Sequence, residues 1–470
     1  MQPHQSSSES KADSSFSLWF AVPSSTWVTN LPRPLRVTLP PVLALLFLSL
    51  ILGGIASAKP AALPASTLLQ PPVATIISQV TTPTLAYELA GLTGERPVTV
   101  AGSLYTITTR NTYHSGPISM ATRYAFEQLA AHNLVVTYHN YVWTDRYGYR
   151  HDRRNVVAEK PGLVNPDEIY LIAAHVDNLP EDGRAPGADD NGSGSIAVLM
   201  AARLLAPRYF AHTIRFVLFT GEEQGLRGSA AYAADCQSRG DDVRGVVNLD
   251  MIGYNSDANR AIDIYTQPTV TGSLELTYLF SDVVGAYGLN LAPYYGGPDW
   301  PVRASDQWSF LQRGYPAVLV IEDMDDFTPA YHRVTDTLST LDLDYYADAT
   351  RAAIATIAHL GCLLPTDGPG RLSGTVYDLN TAHPLSNATV AALWTAAPYT
   401  FTTLTGAGGI YSLSLPAGRY TLTARSVSGG YYPATISGVL ITTGTTAVIV
   451  QDIALAPWPR LYLPCVVRRP

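Results

Sequence analysis

Between residues 169 and 360 short apolar runs alternate with stretches of helical periodicity. Residues 169–174, 213–220, 246–252 and 317–322 read as buried strands, and 195–205, 228–234 and 345–360 read as helices. A strand with no polar alternation must be covered on both faces, which helices achieve when the strands run parallel. The segment therefore predicts an α/β fold, a mixed sheet that is parallel at its centre and flanked by helices. Upstream, 73–92 has helical spacing, 97–109 alternates as a strand does, 120–129 is helix-like and 134–143 is extended.

Composition agrees with a packed core. At 470 residues, with 47% hydrophobic and 14% charged, the chain has room for several domains and is neither disordered nor a coiled coil. A net charge of -8 with no long basic run gives nucleic acid nothing to bind. Cys236, Cys362 and Cys465 allow one bridge at most, so there is no disulfide framework.

The ends of the chain differ from its middle. The apolar run 39–55 follows Arg33 and Arg36 and precedes Ala56-Ser57-Ala58, so 1–58 reads as a secretory signal cleaved after Ala58, with an uncleaved N-terminal anchor as the alternative. In either case the remainder is expected outside the cytoplasm, and with the signal removed no stable membrane insertion is expected. A Pro/Ala-rich spacer covers 59–72, and Pro365, Gly368, Pro369 and Gly370 mark a linker over 364–370. Residues 371–456 lack any helical period and consist of short alternating runs between Gly, Pro and Asn turns, which predicts a small all-β sandwich. A tail, 457–470, has no assigned role.

Polar residues gather where the apolar strands end, and in an open α/β sheet ligands bind in the crevice beyond the carboxyl ends of the strands. His175 and Asp177 are two apart in extended chain and share a face, so Asp177 is placed to orient the imidazole while its other nitrogen binds a metal. Taken alone, the pair is an ordinary polar strand end. The Gly-rich turn at 186–195 holds Asp189 and Asp190 side by side, which suits a metal-bridging carboxylate with a neighbour that fixes its geometry; capping of the next helix is the plain alternative. It lacks the Gly-Lys-Ser/Thr of a phosphate loop and the spacing of a calcium loop.

Glu222 and Glu223 point in different directions at a strand end, leaving one free to bind metal and the other to act as a base. Asp250 interrupts an apolar strand, where an ionised carboxylate is costly unless paired or metal-bound. Tyr331-His332 adds a second imidazole before Asp336. Together His175, Asp189, Glu222, Glu223, Asp250 and His332 supply nitrogen and oxygen ligands and no thiolate. Such a set suits two Zn²⁺ ions sharing one carboxylate, with one carboxylate left over as base. No Gly-x-Ser-x-Gly elbow with a credible triad order supports a serine nucleophile.

These motifs, His-Val-Asp, Pro-Gly-Ala-Asp-Asp-Asn-Gly-Ser-Gly, Gly-Glu-Glu-Gln-Gly-Leu-Arg-Gly-Ser, Asn-Leu-Asp-Met-Ile-Gly and Tyr-His, resemble the M28 aminopeptidase family over residues 73–363. The resemblance implies a zinc exopeptidase fold, two Zn²⁺ per chain and hydrolysis of N-terminal bonds in peptide substrates. Position by position it implies that Asp189 bridges the ions, that His175 and Asp250 complete one site, and that Glu223 and His332 complete the other. It further implies Glu222 as general base or acid, Asp177 as the partner of His175, and a cis peptide at Asp189-Asp190. Tyr331, beside a ligand, is a candidate donor to the developing oxyanion. Ser305-Asp306 resembles a pattern near the substrate pocket, but Gln307 stands where many members carry His, so no ligand role is given to it.

Residues 371–456 resemble the carboxypeptidase regulatory-like module through Gly374-Thr375-Val376-Tyr377 and the run 415–422, which implies a noncatalytic role. Tyr294, Tyr295, Trp300, Trp308 and Phe327 are candidate pocket walls, or plain core. The acidic loop 322–326 either attracts a substrate ammonium or is a solvated turn. Two rival functions accompany the peptidase reading: glutaminyl-cyclase-like acyl chemistry on the same scaffold, and a noncatalytic secreted surface-binding protein.

Overall fold

The structure, a computed structural model, describes residues 68–180, 183–298, 300–364, 369–395, 400–442 and 448–458. The signal or anchor expected at 1–58, most of the spacer, Cys465 and most of the tail lie outside the described residues. No helix among the described residues is long and apolar enough to cross a membrane.

The larger sheet has eight strands: β1 (Val135–Thr144), β2 (Arg150–Lys160), β3 (Asn165–His175), β4 (His212–Phe219), β5 (Asp242–Leu249), β6 (Ala261–Tyr265), β7 (Ala292–Gly297) and β8 (Ala317–Glu322). Their order is β1-β2-β4-β3-β5-β8-β6-β7. The central four, β4-β3-β5-β8, are mutually parallel, and antiparallel pairings flank them at β2 with β4 and at β8 with β6. β8 is buried at every residue, as a strand covered on both faces must be.

Six longer helices cover this sheet: α1 (Thr82–Leu92), α2 (Ser115–Ala130), α3 (Gly194–Leu205), α4 (Arg227–Arg239), α5 (Ser273–Ala286) and α6 (Leu343–Leu360). One apolar cluster joins α1, α2, α3, α5 and α6 to one face through residues such as Leu89, Leu129, Ile196, Phe280 and Ile354. A second cluster, with Tyr232 of α4, Phe219, Phe310 and Leu319, fills the other face.

Several local expectations are refined. The single helix expected over 73–92 is two, Pro71–Ile77 and α1, because Thr81 accepts a hydrogen bond from the N–H of Thr84 and Pro83 favours a new first turn. The strand expected over 97–109 is a short hairpin, Val98–Val100 with Ser103–Tyr105, turned at Ala101-Gly102, where Gly102 has φ +76. β2 gave no apolar signal because its first half, Arg150 to Arg154, is charged and extends past its neighbour β4.

The C-terminal region is a sandwich of two sheets. β9 (Pro369–Asp378) is flanked by β12 (Ile410–Pro416) and by β15 (Val448–Val450) and β16 (Ile453–Leu455). β10 (Ala388–Trp394), β11 (Thr400–Leu404), β13 (Gly418–Ser426) and β14 (Ala434–Ile441) form the other sheet, in the order β11-β10-β13-β14. Its core, with Leu372, Trp394, Tyr420 and Leu455, continues into Leu163, Val164, Tyr209, Ala211 and Leu364 of the α/β region. Those residues precede β3 and β4 or follow α6, so the sandwich sits against the edge where the parallel strands begin.

Candidate active site

At the opposite edge the strand ends converge on one cleft of about 200 Å³, lined by His175, Asp190, Glu222, Glu223, Asp250, Tyr331 and His332 together with apolar residues. His175 is the last residue of β3 and Asp250 follows β5 directly, so parallel pairing alone brings them together. His175 Nε2 lies 3.1 Å from Asp250 Oδ1 and 3.6 Å from Asp190 Oδ1. His332 Nε2 lies 3.0 Å from Glu223 Oε2 and 3.3 Å from Asp190 Oδ2. Two potential ligand groups result, His175-Asp190-Asp250 and Asp190-Glu223-His332, each with its ligand atoms within 4.8 Å of one another, and Asp190 belongs to both.

The shared carboxylate is thus Asp190, which corrects the assignment of that place to Asp189. Asp189 turns away from the cleft: its Oδ1 accepts the N–H of Gly253 at 2.8 Å and its side chain meets Glu322. Adjacent side chains leave the backbone in different directions, and the loop is held so that only the second faces the cleft. Asp336 sets that choice by accepting the N–H of Asp189 on Oδ1 and of Asp190 on Oδ2, both at 2.9 Å. Gly187 enters the loop at φ +52, where an added Cβ would lie 2.4 Å from the Asp190 carbonyl oxygen. The cis bond is likewise one residue further on than expected, at Asp190-Asn191.

Asp177 stands beside His175 as expected, with a refinement. The His175 Nδ1 is 3.1 Å from the Asp177 carbonyl oxygen and 3.7 Å from its carboxylate. With the proton on Nδ1 donated there, Nε2 presents its lone pair to the cleft. The Asp177 carboxylate accepts from Thr112 Oγ1 at 2.9 Å, from the N–H of Gly221 at 2.9 Å and from that of Glu222 at 3.4 Å. One buried aspartate therefore fixes both the β3 and the β4 ends.

The charge balance of the cleft is the test of metal fit. Asp190, Glu222, Glu223 and Asp250 meet only two imidazoles; Asp190 Oδ2 has only the His332 ring beside it, and Glu223 Oε1 is buried without a hydrogen-bond partner. Burial, with the Asp190 charge added, pushes Glu223 up to about 8. Burial and the neighbouring Glu223 and Asp250 charges hold Glu222 well above the usual carboxylate range, against a lowering by His175. Burial lowers His332, but Asp190 and Glu223 more than reverse this and raise it to about 10. Such strain among unneutralised acids is what a divalent cation relieves, and a nitrogen-oxygen donor set without thiolate fits zinc.

Met251, Pro301, Ala304, Leu319, Ile321, Met324 and Phe327 wall the cleft beyond this polar end. Among the described side chains of the aromatic wall candidates, Phe327 lines it, Tyr294 is exposed on edge strand β7, Tyr295 lies beside it, and Trp308 packs against the core; the Trp300 side chain lies outside those described. Tyr331 stacks on His332 with centroids 3.6 Å apart and keeps its ring on the cleft. The acidic loop is mostly a set of backbone caps. Asp326 takes the N–H of Ser256 and Asp257, Asp323 that of Asp325, and the buried Glu322 that of Thr328.

Arg110 carries support that no sequence pattern announced. Fully buried, it donates to the carbonyls of Val176, Leu92, Pro186 and Gly187, tying β3 to the Asp190 loop. Asn191 does the same from inside the loop, accepting the N–H of Gly194 and donating to the carbonyl of Leu249.

A parallel-centred α/β sheet with two carboxylate-imidazole clusters sharing one aspartate at its C-terminal edge is a fold of the zinc-exopeptidase type. Residues 155–357 match the family model Peptidase family M28, and 371–456 match the Carboxypeptidase regulatory-like domain. The chain spans less than two thirds of the length of the curated relatives it matches. It is 30% identical over 249 residues to leucine aminopeptidase 1 of Trichophyton rubrum, covering 47% of this chain and 63% of that protein. It is 32% identical over 239 residues to leucine aminopeptidase 1 of Trichophyton equinum, covering 46% of this chain and 62% of that protein. Its fold is shared with the crystal structure of LapB from Legionella pneumophila at a TM-score of 0.51 and 23% identity, over 62% of this chain and 75% of that one.

Proposed function

We propose that the chain is an extracytoplasmic dizinc aminopeptidase that removes apolar N-terminal residues from peptides. The observation that carries this is the pair of ligand groups joined through Asp190. His175, Asp190 and Asp250 would hold one Zn²⁺, and Asp190, Glu223 and His332 the other. When bound, the ions supply Lewis acidity, which brings the pKa of a water from about 15.7 towards 7 and polarises the scissile carbonyl.

The chain's own residues do the rest. Glu222, in the cleft but in neither ligand group, takes the proton of the attacking water and returns it to the leaving amine. The Asp177 carboxylate accepts the N–H of Glu222 and its backbone carbonyl meets the His175 ring, so the base and a ligand are placed by one residue. Tyr331 donates its hydroxyl hydrogen to the developing oxyanion. The apolar walls, Met251, Leu319, Ile321, Met324 and Phe327, receive the N-terminal side chain and exclude water around it.

Relatives that bear the name leucine aminopeptidase support peptide hydrolysis over cyclase chemistry. The assembled cleft, in turn, disfavours an inert α/β domain carried by a binding module. The apolar run at 39–55 supports export. The test is metal analysis coupled to hydrolysis of leucyl chromogenic substrates. About two zinc ions per chain, with activity lost on chelation and restored by zinc, support the reading, and chelator-insensitive turnover overturns it.

A further inference from the structure

The cleft has a direction across the sheet. Leu319 and Ile321 of β8 line its apolar end, and Glu222 follows β4, three strands away in the order β4-β3-β5-β8. On the aminopeptidase reading, the N-terminal side chain occupies the β8 end. Glu222 must reach the leaving nitrogen, which belongs to the next residue of the substrate, so the rest of the peptide departs over β4 and towards β2 and β1.

What stands there is a hairpin. Thr220 Oγ1 donates to the Arg154 carbonyl at 3.0 Å, which marks where β4 ends against β2. Beyond it β1 and β2 continue as the pairs Tyr141↔Arg153, Val142↔Asp152, Trp143↔His151 and Thr144↔Arg150. At about 3.3 Å per residue this is a wall roughly 13 Å long, the span of about four residues of extended peptide.

The wall is rigid and tied to the catalytic edge. Tyr141 donates to the Thr220 carbonyl at 2.6 Å, and Arg153 donates to the carbonyl of Thr112, whose hydroxyl bonds Asp177. Trp143 stacks on His151 with centroids 4.5 Å apart. At the tip, Asp145 accepts the N–H groups of Tyr147 and Tyr149. Yet Tyr147 and Tyr149 are 70% and 69% exposed, and Tyr113, which braces His151 edge-on, is 38% exposed. Aromatic rings held outward on an ordered frame present apolar area at little further entropic cost.

We propose that the β1–β2 hairpin is the leaving-side wall of the cleft and that Tyr113, Tyr147 and Tyr149 bind the residues after the scissile bond. The substrate class is then peptides of about four residues or more, with apolar or aromatic residues on the leaving side, in preference to dipeptides. This rests on the aminopeptidase reading.

The test compares kcat/KM on leucyl peptides of two to five residues and on a leucyl chromogenic substrate, for the full chain and for Y147A/Y149A and Y147F/Y149F. We expect efficiency to rise with peptide length in the wild type, the pentapeptide-to-dipeptide ratio to fall about tenfold in the alanine variant, and the phenylalanine variant to keep it. A length ratio identical in wild type and alanine variant, or a wild type indifferent to length, overturns the proposal while leaving the aminopeptidase reading intact. A zinc-loaded wild type that cleaves no leucyl substrate of any length overturns that reading, and this inference with it.

Discussion

The backbone N–H of Asp190 donates a 2.9 Å hydrogen bond to Oδ2 of Asp336, a residue 146 positions later in the chain. The other oxygen of Asp336 holds the N–H of Asp189 in the same way, so one carboxylate splints the peptide that carries the shared ligand. Replacing it by alanine strands two buried donors at about 1–3 kcal/mol each. Asp336→Ala should therefore lose about 2–6 kcal/mol in urea unfolding and bind zinc about 10–100-fold more weakly in a competitive chelator titration, the range for removing a supporting contact. An alanine variant with wild-type zinc affinity would show that the loop holds its shape unaided.

Asp189 and Asp190 are adjacent and chemically identical, yet only Asp190 lies within reach of both imidazoles. Asp190→Asn should abolish stoichiometric zinc binding at both sites. Asp189→Asn should retain two zinc ions per chain, since its carboxylate serves the N–H of Gly253 and the Glu322 side chain instead. Metal content after gel filtration separates the two, and equal loss in both variants would return the bridging place to open contest.

Which parts of this site could be read from the sequence follows from how each residue acts. His175, Glu223 and Asp250 were legible because they lie at or just past strand ends, which announce themselves through apolar runs, whereas His332 stands in a turn well beyond β8 and is marked only by the Tyr-His pair. The choice between Asp189 and Asp190 was not legible, because it depends on a one-residue rotation set by Asp336, a contact across 146 positions. Arg110 was invisible for a similar reason: its partners are four backbone carbonyls, which leave no mark in any side-chain pattern. The parallel centre of the sheet was legible from buried β3, β4, β5 and β8, whereas the charged start of β2 hid a strand that the fold extends into solvent.

Glu222 lies in the cleft outside both ligand groups, so its loss should separate binding from chemistry. Glu222→Gln keeps the side chain's size but cannot accept the water proton. We expect zinc content unchanged and kcat lowered by on the order of 10²-fold or more, with a much smaller change in KM. Near-normal turnover would remove Glu222 from the role of base.

Away from the cleft, burial tends to raise the Asp241 pKa, but hydrogen bonds from Arg239 and Arg215 outweigh it and hold the carboxyl below the usual range. A carboxylate depressed by folding contributes stability above its unfolded pKa of about 3.9 and loses it as pH falls through the lower folded value. The melting-temperature gap between wild type and Asp241→Asn should thus be constant from about pH 7 to 5 and narrow below about pH 4. A gap that widens on acidification would reverse the assigned sign.

The sandwich raises a different question, because it is docked where the catalytic strands begin and the cleft opens where they end. Its core is continuous with Tyr209, Ala211 and Leu364, and the backbone of Leu364 donates to the Tyr209 carbonyl at 2.9 Å. Removing residues from 369 onward uncovers that apolar edge without touching any residue of the cleft. The shortened chain should melt at a lower temperature and bind more of a hydrophobic dye, while zinc content and kcat on a leucyl chromogenic substrate stay near those of the full chain. Burial at this edge is worth roughly 25 cal/mol per Å² of apolar surface, so stability is where the loss must register. A truncation that left the melting temperature unchanged but cut kcat would mean that the sandwich acts on the site and not on the fold.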